Sequence, residues 1–462
     1  MKKIVAILKN KEIVNRIFFT IMILFVFRIG AQITVPGVSV QSDLNSYLTE
    51  NNALALMNLL GGGTLQTFSI FALGVSPYIT AQIIVQLLST DVLPALTELK
   101  RQGQFGRKKI EMATRYLTLL LGAVQAYGII RTMQSGTYSQ YISFTLLDNL
   151  GANMQWLGYV YIVIVMLSGS MLVMWLGDQI SVKGIGNGIS VIIFAGIVRS
   201  LPTQMVTAFQ LWVSSVWGTG NEVSGIFKFL LYILVYLLII AFVVFTELAK
   251  RKIPVQHSGK SGGQTQSMAK ASFLPIKINP AGVIPVIFAS SIMMAPSVVV
   301  AFIDANQTNA TWLKIFSSSE LFPMPGVNGT TWGMPWGLII YIVLIIAFTF
   351  FYSNITINPE QLAENFQKNG SYIPGIRPGN ETERYVRKVL NRVTVIGALA
   401  LTFIAALPVV LTLTGVFGSA SNLALGGTGL IIVVGVALEI GNQIDGLLAG
   451  KSFDEVVASG GN

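Results

Sequence analysis

About ten runs of apolar residues follow one another along the chain, near 17–35, 64–88, 116–131, 156–177, 185–201, 226–248, 281–302, 336–356, 393–414 and 428–448. Each is near the length a helix needs to cross a hydrocarbon layer of roughly 30 Å. Inside a bilayer every backbone amide and carbonyl must be satisfied within the protein, so such runs specify helices. The expected fold class is an all-α polytopic membrane protein. Composition agrees, because only 11% of the residues are charged, against roughly 25% in soluble domains. The chain has no cysteine and one histidine, His257, which removes disulfides, thiolate metal sites and multi-histidine centres. No catalytic residue, metal or cofactor is expected. Nor does the chain carry the glycine-lysine loop that cradles nucleotide phosphates, so any driving energy comes from elsewhere.

The amino-terminal stretch MKKIVAILKNKEIVNRIFFTIMILFVF sets basic residues before an apolar run, as a signal peptide does. That run continues from Ile17 to about Val35 with no small-residue cleavage site, so an uncleaved first span is expected. Residues 1–16 space Ile4, Ile7 and Leu8 between Lys2, Lys3, Lys9 and Lys11. That pattern suits either an amphipathic helix on anionic lipid or the plain charged flank of a span.

With the amino terminus inside, the basic clusters Lys2–Arg16, Lys100–Arg115, Lys250–Lys277 and Lys368–Arg392 all face the cytoplasm. Of 30 basic residues, the external side keeps only Arg28, Arg131, Arg199, Lys228 and Lys314. The positive-inside rule selects this orientation. An even number of spans returns the carboxyl terminus to the cytoplasm and divides the chain into two sets of five that run in opposite senses. The expected units are a cytoplasmic amino terminus over 1–16, a first half over 17–201 and a sixth span over 226–248. A cytoplasmic loop over 249–280, spans over 281–356, a second loop over 357–392, spans over 393–448 and a tail over 449–462 follow.

The second apolar run has two unlike halves. In GGGTLQTFSIFALGVSPYITAQIIVQLL, Gly61 to Leu88, the first half is glycine-rich and polar, and the second turns smoothly apolar after a Gly-Val-Ser-Pro break. Irregular backbone at membrane depth is tolerated where it lines a wet cavity, and glycines let it bend. An ordinary glycine-kinked helix accounts for the same letters.

Both long cytoplasmic loops exceed a minimal connector. AKRKIPVQHSGKSGGQTQSMAKASFLPIKINPAG is basic and glycine-rich, while NPEQLAENFQKNGSYIPGIRPGNETERYVRK sets Arg377 between Pro374 and Pro378. The basic residues obey the positive-inside rule in any case. The Pro-Gly turns add a docking reading, since an electrostatic tether needs no prolines to fix its shape. Among acidic residues, Asp178, Glu247 and Asp445 fall at span ends. Glu439 alone reads as deep, either as a proton or cation site or, as we favour, as a structural partner.

The phrases FALGVSPYITAQIIVQLL, MWLGDQISVKGIGNGISVIIFAGIV, INPAGVIPVIFASSI, NPEQLAENFQKNGSYIPGIRPG and GGTGLIIVVGVALE resemble signatures of the SecY family in that family's order, essentially from end to end. The resemblance implies ten transmembrane helices in two inverted halves around a central hourglass pore that conducts unfolded polypeptides. It implies that Gly61 to Leu73 is a plug, a short mobile half-helix in the external funnel, with Gly61, Gly62, Gly63, Thr64, Leu65, Phe68, Ile70 and Leu73 as its residues. It also implies a pore ring of Ile79, Ile83, Ile193, Ile287 and Ile432. A ring of aliphatic side chains seals a channel by dewetting without a hydrogen-bond code that would restrict the passing sequence. Without the resemblance, each of these isoleucines reads as a packing or lipid-facing residue.

The family's lateral gate opens between the spans like 76–88 and 281–302, with the third and eighth behind them, so that signal sequences and membrane segments can enter lipid. Gln82, Gln86, Gln125, Ser290 and Ser291 lie on such spans. Their contacts would be weak enough to open, or would serve local helix packing. Arg251, Lys252 and Arg377 resemble the family's docking residues for the ribosome, through ribosomal RNA phosphates, or for the ATPase SecA. SecE and SecG are the implied membrane partners, nascent polypeptides the cargo and the bacterial plasma membrane the location. The formal net charge of +10 suits anionic lipids as well as ribosomal RNA. His257 stands where the family often has tyrosine. The readings from other classes are a secondary transporter with inverted repeats and a structural scaffold.

Overall fold

The structure, a computed structural model, describes residues 7, 9–41, 57–58, 61–90, 94–134, 141–145, 147, 154–215, 217, 222–257, 272–303, 311–316, 322–325, 331–413 and 426–459. Lys2, Lys3, Ile4 and Leu8 of the expected surface helix lie outside these residues, as does the glycine-serine tip of the first long loop.

Among the described residues, ten helices overlap the ten apolar runs. They are α1 (Lys11–Gly30), α2 (Ser76–Leu88), α3 (Gln104–Gln134), α4 (Gln155–Lys183) and α5 (Gly188–Phe209). The second set is α6 (Glu222–Leu248), α7 (Ile284–Ile303), α8 (Trp336–Thr356), α9 (Asn380–Leu413) and α10 (Gly426–Ser459). Among the described residues, seven helices are long and apolar enough to cross a membrane by composition alone, with Ser76–Leu88 and Ile284–Ser297 as shorter apolar helices. At about 1.5 Å per residue, α2 covers about 20 Å and falls short of the hydrocarbon layer. By contrast α9, with 34 residues, reaches about 50 Å and must project from the bilayer.

The helix packing repeats with an offset of five. Helix α1 packs on α4 as α6 packs on α9, α2 on α3 as α7 on α8, α3 on α4 as α8 on α9, and α4 on α5 as α9 on α10. The halves meet along α2–α7, α3–α7 and α5–α10. An odd number of spans per half starts equivalent helices from opposite membrane faces, so the two halves are inverted copies.

Among the described residues, the strands form three small sheets. One pairs β1 (Ser39–Val40) with β2 (Ile142–Ser143), and another is the hairpin of β5 (Phe322–Pro325) and β6 (Thr331–Met334). In the third, β3 (Lys250–His257) is central, with β4 (Ser272–Lys277) on one side and β7 (Ser371–Tyr372) on the other. The two long loops, read from sequence as separate projecting connectors, are therefore joined in one sheet. Gln256 pairs with Tyr372 and His257 with Ser371.

Candidate functional site

Four helices bring the five ring residues together. Ile79 and Ile83 come from α2, Ile193 from α5, Ile287 from α7 and Ile432 from α10, and all five belong to one buried apolar cluster. None is more than 8% exposed. The cluster also holds neighbours such as Ile192, Val286 and Ile431, so burial places the five in the core without distinguishing them from other core residues. The cluster is apolar and draws its residues from both halves.

The segment 61–75 is shared between this cluster, which takes Phe71 and Val75, and a second one. Leu65, Phe68 and Leu73 pack there with Val35, Met57, Ile129 and Met133. The segment is not the half-helix that the resemblance implies but a succession of turns. Gly62 and Gly63 have φ values of 75° and 79°, and Phe68 sits at 40°, so α-helical geometry is broken three times within seven residues. Phe68 is fully buried, in edge contact with Phe144 at 5.6 Å, and that packing holds a side chain in a backbone region most residues avoid.

The orphaned backbone groups of these turns are satisfied by neighbours. Val35 donates its amide hydrogen to the Phe68 carbonyl and Ile70 donates to that of Ile33, while the Asn58 carboxamide accepts from the amides of Leu65 and Gln66. Two glycine pairs set the fit. A Cβ on Gly196 of α5 would lie 2.2 Å from the Cα of Gly62, and one on Gly74 would lie 2.5 Å from that of Gly61. Gly61 and Gly62 are thus held to glycine by close backbone approach, not by bending alone.

The five gate residues divide into different roles. The Ser290 and Ser291 hydroxyls both donate to the carbonyl of Ile287, one turn back on α7, so neither bonds across to α2 or α3. Gln125 is buried on α3 and its Oε1 has no hydrogen-bond partner in the structure. Gln82 is half-buried on α2. Gln86 makes a bond that sequence reasoning missed: the Tyr352 hydroxyl on α8 donates to Gln86 Oε1 at 3.1 Å. Nothing in FTFFYSNIT marks that tyrosine apart from its being a polar tip near a span end.

Arg251 and Lys252 are exposed on β3, and Arg377 is exposed in the Ile-Arg-Pro-Gly turn. Gly375 and Gly379 take φ values of 81° and 98°, which lets the turn reverse tightly. Thr382, in the first turn of α9, donates its hydroxyl hydrogen to the Arg377 carbonyl at 2.9 Å. Beneath, Ile253, Ile276, Ile373, Val386, Leu390 and Val393 form a separate small core. Both loops therefore stand on one platform, continuous with α9.

The acidic residues also rearrange. Glu439, read as deep, is exposed on α10: it continues the stripe of Ile432 and Val436 but lies one turn beyond Val436, where burial along the helix ends. The buried carboxylate is Glu247, which accepts from the Asn279 side-chain amide at 2.8 Å and ties α6 to the start of α7. Asp178 pairs with Arg115 at 2.9 Å, and Asp445 is exposed. Among the described residues no group of histidine, cysteine or acidic side chains could hold a metal.

The SecY family model matches residues 69–441. The chain is 43% identical over 451 residues to the protein translocase subunit SecY of Mycoplasma capricolum, covering 97% of this chain and 89% of that one. Its fold resembles that of a SecY protein whose plug domain is described as stabilising the closed translocation channel, with a TM-score of 0.63, 17% identity, and 94% and 92% of the two chains covered. It also resembles Sec61 in a canine ribosome-channel complex, with a TM-score of 0.59, 17% identity and the same coverages. The chain belongs to the SecY family.

Proposed function

We propose that this chain is the protein-conducting channel of a bacterial plasma membrane, passing unfolded secretory polypeptides through its centre and releasing apolar segments sideways into lipid. The observation that carries the reading is that the five isoleucines, contributed by both halves, share one buried apolar cluster with Phe71 of the segment 61–73, whose Leu65, Phe68 and Leu73 lie in a second. A carrier would need converging polar groups at the midplane, and the convergent side chains here are aliphatic. Ile79, Ile83, Ile193, Ile287 and Ile432 act as the dewetted gasket of an hourglass-shaped pore, and residues 61–73 act as its plug.

The lateral exit lies between α2 with α3 and α7 with α8, and Gln82, Gln86, Gln125, Ser290 and Ser291 line it. Arg251, Lys252 and Arg377 dock the ribosome or SecA. The ribosome is supported by the fold's likeness to a ribosome-bound channel and by guanidinium's bidentate fit to phosphate. SecE and SecG complete the membrane assembly, anionic lipids meet the basic cytoplasmic face, and both termini are cytoplasmic. The chain itself is passive. Single-channel conductance in a planar bilayer tests the reading: the intact protein is expected to stay quiet and a variant lacking residues 61–73 to flicker or stay open. Silence from a correctly folded deletion would overturn the plugged pore.

A further inference from the structure

Tyr352 and Ser353 are adjacent on α8 and bond to different parts of the molecule. The Tyr352 hydroxyl donates to Gln86 Oε1 on α2, in the other half, at 3.1 Å. Ser353 Oγ accepts from the Thr394 hydroxyl on α9 at 2.8 Å, and both of those side chains are almost completely buried. Phe288 of α7 meets the Tyr352 ring edge-on at 5.4 Å, so that ring also contacts the helix that faces α2 across the seam. The serines of α7 spend their hydroxyls on their own helix. The Tyr352 bond thus joins the two walls where those serines do not.

The second bond leads outward. Thr394 immediately follows Val393, the last residue of the small core under the cytoplasmic platform. Its helix, α9, runs without interruption from Asn380, beside the turn that carries Arg377. A rigid helix is therefore hydrogen-bonded at Thr382 to the docking turn and at Thr394 to the residue next to Tyr352.

Resting on the channel reading above, we propose that Tyr352 is the latch of the lateral gate, and that the Ser353–Thr394 bond makes the latch respond to a partner docked on the platform. With the latch made, α8 holds α2. A tilt of α9 carries Ser353 with it, draws the Tyr352 hydroxyl away from Gln86 and frees the seam. One interhelical bond in a membrane is weak, so its loss shifts the balance of closed and open states only by about threefold. That size suits a latch that substrates must be able to break.

The chain has no cysteine, so paired spin labels can be placed without background. Ile84→Cys on α2 with Ala295→Cys on α7 reports the width of the seam in nanodiscs, read as a distance distribution. Tyr352→Phe keeps the ring and its contact with Phe288 and removes only the hydroxyl. The wide population is expected to rise about threefold in Tyr352→Phe and in Gln86→Leu, and no further in the double variant. A synthetic signal peptide with a polyleucine core should widen the seam in every form. Thr394→Val should leave the resting distribution unchanged and abolish the widening produced by added ribosomes.

An unchanged distribution in Tyr352→Phe, with the peptide still opening the seam, would overturn the latch and leave the gate reading standing. A peptide that fails to widen the seam even with the native tyrosine would overturn the gate reading and the latch with it. Ribosome-induced widening that survives Thr394→Val would overturn the coupling.

Discussion

Ser170 of α4 donates its hydroxyl hydrogen to the carbonyl oxygen of Gly74 at 2.9 Å, a buried bond that fastens the chain to the bundle wall just past the segment proposed as the plug. The neighbouring Gly169 allows the approach, since a Cβ there would lie 2.0 Å from the carbonyl oxygen of Ile70. Removing the hydroxyl leaves a buried carbonyl without its partner. In Ser170→Ala the seated state should lose about 1 kcal/mol, raising the fraction of time spent unseated about fivefold. Planar-bilayer recordings should show more frequent brief openings, with Ser170→Thr close to the native frequency.

The Gly62–Gly196 contact makes a sharper demand. A methyl group on Gly196 would meet backbone at 2.2 Å, and backbone cannot swing aside as a flexible side chain can. Overpacking of this kind costs about 1–3 kcal/mol. Gly196→Ala should leak ions persistently or lose thermal stability by a corresponding amount. Gly441→Ala on α10, where nothing lies within 4 Å, should match the native protein in both assays.

The ring predicts a different phenotype from the plug. Dewetting depends on an unbroken hydrocarbon collar, so a hydroxyl at one of its positions lowers the barrier to water and small ions. Ile193→Ser should raise chloride and potassium efflux from proteoliposomes, and Ile193→Val should not. Val keeps the β-branched hydrocarbon surface at a cost of about 0.5–1.5 kcal/mol. Equal efflux from the two variants, both folded, would remove Ile193 from the seal.

Most of the helices were legible because bilayer thickness sets a minimum apolar length for a span, while α2, at 13 residues, was legible only as the second half of a longer run. The ring residues were not separable from other isoleucines by periodicity; family motifs selected Ile79, Ile193 and Ile432, and the fold places them in one cluster. The turns of residues 61–75 were hidden because helix, kinked helix and irregular backbone share the composition of GGGTLQTFSIFALG. The sheet of β3 carried a signal that the charges obscured: Ile253 and Val255 are buried while Lys252, Pro254 and Gln256 are exposed, the alternation expected of a strand. Glu439 and Glu247 exchanged places for a simpler reason: burial along α10 ends at Val436, one turn before Glu439, while Glu247 continues the buried stripe of Val243 on α6, and the letters do not show where neighbouring helices stop covering a span.

Arg377 tests whether the platform acts through its surface or through its fold. The side chain is exposed, and the hydrogen bond that ties its turn to α9 uses the Arg377 carbonyl, which substitution retains. The small core below contains no charged residue. Arg377→Glu should therefore leave the melting temperature and membrane accumulation of the protein unchanged while reversing the charge offered to a phosphate-bearing or acidic partner. Loss of a bidentate charge-assisted contact and the added repulsion should weaken ribosome binding at least tenfold and abolish export in a reconstituted assay. Arg377→Lys should recover part of the binding, because it restores charge without the planar fork. If Arg377→Glu exports normally, docking lies elsewhere on the platform, and Arg251 and Lys252 on β3 become the residues to reverse next.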